Sequence, residues 1–124
     1  MAQLRVHDVH DLTVAVQDYA KAIYTLESRH GAASTTELAT LLEVRPASVS
    51  GMLRKLSDLG LVEHERYRGV RLTKRGRRVA LEVIRHHRLV ELFLVESLGM
   101  TWDEVHVLGA TLARAMRVER EAGA

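Results

Sequence analysis

The 124-residue chain contains no cysteine, so it can form neither a disulfide bond nor a metal site built on thiolate ligands. Hydrophobic residues make up 47% of the sequence, yet no apolar run approaches the roughly 20 residues needed to cross a bilayer. No charged and then apolar leader with a small-residue cleavage site opens the chain. These absences predict a soluble, cytoplasmic protein with no membrane association.

Motifs of the common enzyme classes are absent as well. The sequence has no cysteine nucleophile, no Gly-rich phosphate-binding loop, no H-E-x-x-H zinc motif and no serine that pairs with a recognisable histidine–carboxylate relay. We therefore expect a binding protein rather than an enzyme.

Positive charge is concentrated in one part of the chain, although the formal net charge is only +2. Residues 45–88 contain 12 Arg and Lys against 4 Asp and Glu, a net charge of +8, so the rest of the chain carries −6. Clustered Lys and Arg release the counterions that DNA phosphates otherwise hold, which favours binding to nucleic acid. A merely solvated basic face is the alternative, but it gives no reason for the charge to coincide with a DNA-binding pattern.

Hydrophobic residues recur at helical spacing in three segments of the first half of the chain. The first predicted helix covers residues 13–29. The S-x-x-E spacing of Ser34 and Glu37 predicts a capped second helix over 36–42. The only proline, Pro46, favours the first turn of a third helix that stops at a glycine.

A short hairpin is expected after these helices. Strands are predicted over 61–65 and 70–73, around the turn Arg-Tyr-Arg-Gly at 66–69. Short helices followed by an arginine-bearing hairpin are typical of a winged helix-turn-helix, so residues 1–73 are predicted to form a DNA-binding domain. The predicted fold class is mainly α with a small β-hairpin.

Small and basic residues are the candidates for DNA contact. Small residues at the front of the third helix let its backbone approach the major groove, and the hydroxyls of Ser48 and Ser50 can reach phosphates or base edges. Arginines at the hairpin tip can lie against the DNA backbone or in the minor groove. For both regions the alternative is ordinary solvent exposure. The predicted DNA-contact residues are Ser34, Thr35, Arg45, Pro46, Ala47, Ser48, Ser50, Gly51, Arg54, Lys55, Arg66, Arg68 and Arg71.

The second half predicts a helical dimerisation region over 74–124. One long helix is expected over 74–98, and the T-x-x-E spacing of Thr101 and Glu104 predicts a cap on a final helix. These helices carry more apolar surface than a small winged helix can cover, so a second copy of the chain is expected to cover it. The predicted dimer interface consists of Leu92, Phe93, Val105, Leu108, Leu112 and Met116.

Four segments carry a family resemblance: Q-D-Y-A-K-A-I-Y, T-E-L-A-T-L-L-E-V-R-P-A-S-V-S-G-M-L-R-K-L, Y-R-G-V-R-L-T-K-R-G and H-R-L-V-E-L-F-L-V-E-S-L-G-M-T-W-D-E-V-H. Their order and spacing resemble the diphtheria-toxin-repressor/manganese-repressor family of metal-dependent transcription factors. A generic winged helix would share only the middle portion. The resemblance implies a homodimeric repressor that binds palindromic double-stranded DNA operators when Fe(II) or Mn(II) is bound between the first helix and the dimerisation helices.

The resemblance also implies metal ligands. His87 and Glu91 lie four residues apart on the long helix and His106 begins the last one, and the matching family positions form an ancillary metal site. Asp18 matches an aspartate ligand of the manganese-type members. Imidazole and carboxylate suit Mn, Fe, Co, Ni or Zn, so one Mn(II) or Fe(II) per subunit is expected at these four residues or a subset of them. Without the resemblance, His87 and Glu91 would be interpreted as a chance surface pair.

Other positions depart from the family's ligands. Ala110, Ala113 and Arg114 stand where the family brings further ligands from the last helix, and neither side chain type can bind a cation. Lys21 stands where manganese-type members have a second carboxylate in the first helix. The primary metal site is therefore predicted to be degenerate. We hypothesise that Arg114 pairs with Asp18 and supplies the positive charge that metal supplies elsewhere.

Two alternatives to a metal-dependent repressor remain. One is a winged-helix regulator that binds no metal because Arg114 and Asp18 pair instead. The other is a dimerisation module that has lost operator binding, although the retained arginines and lysine of the third helix and hairpin argue against it.

Overall fold

The computed structural model describes residues 12–109 of the chain. In chain order its elements are α1 (Val14–His30), α2 (Thr35–Leu42), α3 (Pro46–Asp58), β1 (Val62–Glu65), β2 (Gly69–Leu72), α4 (Lys74–Leu98) and α5, described over 102–109. The predicted class, mainly helical with a two-stranded hairpin, is confirmed. Contacts divide the chain into two compact units, one ending at Val83 and the other beginning at Ile84. The domain limits 1–73 and 74–124 extend beyond the described residues and stay a prediction.

Local hydrogen bonds determine where the first helices begin. The Thr13 hydroxyl accepts a hydrogen bond from the backbone N–H of Val16 over 3.2 Å and caps α1. At α2 the predicted capping box is present, because the Ser34 hydroxyl accepts from the Glu37 N–H (3.1 Å) and the Ser34 N–H donates to the Glu37 carboxylate (3.2 Å). These bonds satisfy N–H groups that would otherwise lack a partner at a helix start.

A three-residue turn joins α2 to α3 and sets up the helix-turn-helix. Glu43 ends α2 in the left-handed region at φ 56°, and the Val44 N–H returns to the Ala39 carbonyl over 3.0 Å. Pro46 then occupies the first turn of α3, as expected for a residue with no N–H to leave unsatisfied.

The core of the first unit lies where one face of each of the first three helices meets the hairpin and the start of α4. Apolar positions on the helices are buried at the three- and four-residue spacing that the sequence shows. The largest fully buried side chains of this unit are Val16, Ile23, Leu38, Val49, Leu56, Leu61, Val70 and Val79.

The hairpin is attached to the segment between α1 and α2. Strands β1 and β2 are antiparallel, with Val62 opposite Leu72 and Glu65 opposite Gly69. Along the other edge of β2, Val70 and Ala33 exchange two backbone hydrogen bonds of 2.9 Å each. Gly69 lies beside this bridge at φ 110°, and a Cβ at that position would collide with the Ala33 carbonyl oxygen.

The second unit contains the later part of α4 and the described part of α5. The predicted capping box is present here too, with the Glu104 N–H donating to the Thr101 hydroxyl and the Thr101 N–H donating to the Glu104 carboxylate, both over 3.2 Å. Over the described range, 12–109, none of the helices is long and apolar enough to span a membrane.

Candidate DNA interface and metal site

Helix α3 has two faces of different chemistry. Val49, Leu53 and Leu56 are at most 4% exposed and pack into the core. The other side is polar, small or basic, as the sequence predicts. All eight predicted contact residues on and just before this helix are exposed: Arg45, Pro46, Ala47, Ser48, Ser50, Gly51, Arg54 and Lys55. Helix α3 therefore presents small residues in its first two turns and two cations one turn later.

Gly51 stands in the middle of this exposed face. A Cβ built at Gly51 meets no heavy atom within 4 Å, so packing within the chain does not require glycine there. Its helical backbone does not require glycine either, since Gly51 is not among the residues with positive φ. Glycine in a helix costs up to about 1 kcal/mol relative to alanine. A partner that approaches the helix backbone closely would explain its presence.

The start of α2 carries the remaining predicted contacts of the helix-turn-helix. Ser34 and Thr35, both predicted DNA contacts, are half-buried, and the Ser34 hydroxyl already accepts the capping hydrogen bond. Two hydrogen bonds from Ser34 lower the pKa of the Glu37 carboxyl, and the one from the side chain has the larger effect. His30, 3.4 Å away, lowers this pKa further through its charge.

The hairpin tip presents Arg66, a predicted DNA contact, and beside it an aromatic ring that the sequence prediction did not include. The Arg66 guanidinium lies 5.0 Å from the centroid of the Tyr67 ring, within cation–π distance. Tyr67 is 92% exposed and has a φ of 66°, a conformation that bulky residues rarely adopt. Only its position beside two arginines in the turn could have pointed to Tyr67.

The other two hairpin arginines make contacts within the chain. Arg68 donates from Nη2 to the carbonyl oxygen of His30 over 2.7 Å. Arg71 lies 3.3 Å from a Glu65 carboxylate oxygen through Nη1 and 3.6 Å from Glu27 through Nε. Arg68 and Arg71 thus have partners within the chain that the sequence did not predict. Their contact with DNA stays a prediction.

The predicted metal ligands are divided between the two units. Asp18 is half-buried in the first unit, with its Oδ2 atom inaccessible to solvent. His87 and Glu91 are half-buried one turn apart on α4, and His106 is exposed on α5, all three in the second unit. Across residues 12–109 no three His, Cys, Asp or Glu side chains come together as a preformed site. The described side chains therefore do not complete a metal site on their own. Ala110, Ala113 and Arg114 lie outside the described residues.

The predicted dimer residues differ in how far the chain itself covers them. Phe93 is 60% exposed, and Leu92 and Leu108 are half-buried. Val105 is 0% exposed because its own chain covers it, and its part in a dimer interface stays a prediction. Leu112 and Met116 lie outside the described residues. Further large apolar side chains of the second unit are exposed: Leu89, Val90, Leu98, Trp102 and Val107.

The exposed basic face of α3 beside an arginine-bearing hairpin defines a winged helix-turn-helix DNA-binding protein. Residues 11–70 match the N-terminal DNA-binding domain of the iron-dependent repressors, and residues 73–119 match the metal-binding and dimerisation domain of the same family. The chain belongs to this family, as its sequence resemblance implies. It is a family of transcriptional regulators and not of enzymes.

Individual relatives support the same assignment. The chain is 37% identical over 90 residues, 72% of both lengths, to an uncharacterised helix-turn-helix transcriptional regulator of Methanocaldococcus jannaschii. It is 35% identical over 94 residues to the transcriptional regulator MntR of Bacillus subtilis, covering 76% of this chain and 66% of the relative. The structure of a manganese-dependent transcriptional repressor in complex with manganese matches with a TM-score of 0.66 and 43% identity, over 81% of this chain and 46% of that one. The chain thus spans about half the length of this structure, and about half the length of the zinc-bound ScaR structure that it also matches.

Proposed function

We propose that this chain is a cytoplasmic, homodimeric repressor that binds a palindromic double-stranded DNA operator and responds to Mn(II) or Fe(II). The observation that carries the DNA-binding part is the exposed face of α3, where small residues and two cations stand opposite a buried apolar stripe. An α-helix of this kind fits the major groove of B-DNA, where each base pair presents a distinct pattern of donors and acceptors.

Each part of this surface has a separate role in the proposal. Ser48 and Ser50 face base edges or phosphates from the first turns of α3, and Arg54 and Lys55 bind phosphates one turn later. Arg66 at the hairpin tip reaches the DNA backbone or the minor groove. The start of α2, at Ser34 and Thr35, adds a helix N-terminus suited to a phosphate.

Dimerisation is supported by the apolar surface of the second unit and by the family's dimerisation domain. A second copy of this chain would cover Phe93 and its exposed neighbours. Two copies related by a two-fold axis would place two α3 helices about 34 Å apart, one turn of B-DNA, which requires a palindromic operator.

Metal dependence is proposed on the chemistry of His87 and Glu91. An imidazole and a carboxylate one turn apart on a helix provide two ligands that suit Mn(II) or Fe(II), and His106 and Asp18 are the further ligands that the family resemblance implies. The alanines at 110 and 113 and the arginine at 114 support a degenerate primary site, with at most one metal per subunit. A metal-independent regulator with an Arg114–Asp18 pair is the second candidate.

The DNA-binding proposal is tested with a duplex selected from a random-sequence pool by the protein itself. Fluorescence anisotropy between about 50 and 200 mM salt should show a linear fall of log K with log salt, by about 0.9 per phosphate contact. Arg54→Gln and Lys55→Gln should each reduce that slope by about one unit. Arg29→Gln, which removes an exposed cation at the end of α1, is the charge-matched control. Binding without salt dependence would refute the proposal.

Metal dependence is tested on the same duplex. The protein is stripped with a chelator and titrated calorimetrically with Mn(II), Fe(II), Co(II) and Zn(II), and operator affinity is measured before and after loading. The proposal expects heat of binding, tighter operator binding when loaded, and loss of both in His87→Ala. Full operator affinity in chelator with no heat for any metal would favour the metal-independent candidate.

A further inference from the structure

Glu27 joins three elements of the first unit through one carboxylate. It lies in the last turn of α1, and only 8% of its side chain is exposed. Its Oε2 accepts a hydrogen bond from the backbone N–H of Leu72 in β2 over 3.0 Å. Its Oε1 accepts one from Nη2 of Arg77 in α4 over 2.7 Å and lies 3.6 Å from Nε of Arg71. The end of α1 is thereby bonded to the hairpin and to the start of α4.

The bond to Leu72 completes the outer edge of β2. Val70 already exchanges two backbone hydrogen bonds with Ala33 on the side of β2 away from β1. The N–H groups of residues two apart in a strand point to the same edge, so the Leu72 N–H faces the same side as that of Val70. Glu27 therefore accepts the hydrogen bond from Leu72 that a neighbouring strand would otherwise accept. Strand β2 is thus attached along this edge at both Val70 and Leu72.

We propose that Glu27 is a positioning residue of the DNA interface, which holds the hairpin so that the Arg66–Tyr67 tip stays at a fixed place relative to α3. This inference rests on the proposed DNA-binding function. Hydrogen bonds that involve a carboxylate and an arginine are stronger than neutral ones, so they restrain the hairpin more firmly than the short two-stranded sheet alone. A contact surface that is already ordered loses less conformational entropy when DNA binds.

An electrostatic role and a positioning role of Glu27 predict opposite effects of Glu27→Gln on affinity for the selected duplex. This variant removes a negative charge next to the hairpin arginines, so a purely electrostatic effect would strengthen binding to any duplex. If Glu27 positions the hairpin, affinity for the selected duplex falls about tenfold, the value of one base or groove contact, while affinity for random-sequence DNA is unchanged or higher. Glu27→Asp keeps the charge and shortens the side chain, and it should show the same loss for the selected duplex.

The experiment measures the anisotropy of the selected duplex and of a random-sequence duplex with the full-length protein. Glu63→Gln is the control, because it removes an exposed carboxylate of β1, opposite Arg71 in register, that is no part of the attachment. It should bind the selected duplex as tightly as the wild type or slightly more tightly. Circular dichroism establishes that each variant is folded at 25 °C.

Arg77→Lys provides a second route if either Glu27 variant does not fold. It keeps the charge of a side chain that is about half exposed and removes only the 2.7 Å guanidinium contact. Selected-duplex affinity should fall about threefold, with random-sequence affinity unchanged. If every folded variant binds the selected duplex as the wild type does, the positioning role is wrong while the proposed function stands. If the wild type selects no duplex at all, the proposed function itself fails.

Discussion

Arg68 Nη2 donates a 2.7 Å hydrogen bond to the main-chain carbonyl of His30, the last residue of α1. Carbonyl groups at a helix C-terminus lack intrahelical partners and carry partial negative charge, so a guanidinium there is favourable. The same guanidinium covers Gly31, where a Cβ would collide with it. Arg68 therefore attaches the hairpin tip to α1, whereas Arg66 two residues earlier stacks on Tyr67 and faces solvent.

Arg68→Ala and Arg66→Ala should consequently have different effects. Arg68→Ala should lower the midpoint of thermal unfolding by about 4 °C, the equivalent of one lost hydrogen bond in a domain of this size. Arg66→Ala should leave the midpoint unchanged and weaken binding to the selected duplex. Differential scanning calorimetry and anisotropy on the two variants measure both quantities. Equal thermal midpoints for the two variants would show that the Arg68 contact contributes nothing to the fold.

Gly51→Ala tests whether DNA approaches α3 closely. The added methyl group has open space within the chain. Because alanine favours the helix over glycine, the free energy of unfolding of the protein should rise by roughly 0.5–1 kcal/mol. Affinity for the selected duplex should fall by about tenfold, because the methyl group lies on the face that enters the groove. Ser57→Ala, at an exposed position of the last turn of α3, is the control. A more stable variant with unchanged DNA affinity would show that the DNA groove does not approach α3 closely at Gly51.

The Glu37 capping box should make stability depend on pH in the acid range. The pKa of Glu37 in the folded chain lies below its ordinary value of 4.5, chiefly because of the Ser34 hydrogen bonds. The unfolded chain therefore takes up the proton first, so this stabilisation is complete above about pH 4.5 and is lost as the pH falls through the folded pKa. Urea unfolding of wild type and Glu37→Gln should give free energies that converge as the pH is lowered.

Ser34→Ala serves as the check on that assignment. It removes the hydroxyl that pairs with Glu37, and loss of a helix N-cap costs about 1 kcal/mol. Its acid-range pH dependence should be flatter than that of the wild type. Stability curves for wild type and Glu37→Gln that run parallel down to acid pH would contradict the role of the carboxylate.

Short-range patterns made the helices predictable. Ser34 and Glu37 are three residues apart, and their capping box forms as the spacing predicts because both partners lie in one helical turn. The buried stripe of α3 follows from the same local geometry. The contacts of Glu27 lie 45 and 50 residues away in the chain, and no spacing rule reports such pairs. That distance along the chain is why Glu27 and Arg77 were missed.

Identical residue types could not be separated by sequence either. Arg66 and Arg68 share one turn and one charge, yet the path of the hairpin brings only Arg68 to the end of α1. Phe93 and Val105 both fall in apolar helical patterns, but the chain's own packing covers Val105 completely and leaves Phe93 largely exposed. The spacing of apolar residues along a helix identifies its apolar face. Only the tertiary structure determines whether the same chain covers that face.

Phe93 and Val105 therefore give a test that separates assembly from folding. Phe93→Glu places a charge on the exposed apolar surface, and it should shift the protein from dimer to monomer in sedimentation velocity, since burying an unpaired carboxylate at an interface is costly. It should leave the helical content of circular dichroism intact. Val105→Ala should do the reverse, lowering the free energy of unfolding by about 2 kcal/mol through a cavity while the oligomeric state is kept. Two independent half-sites bind more weakly than a joined pair, so Phe93→Glu should also reduce affinity for the selected duplex. A Phe93→Glu protein that sediments as the wild type does would show that this surface is not the dimer interface.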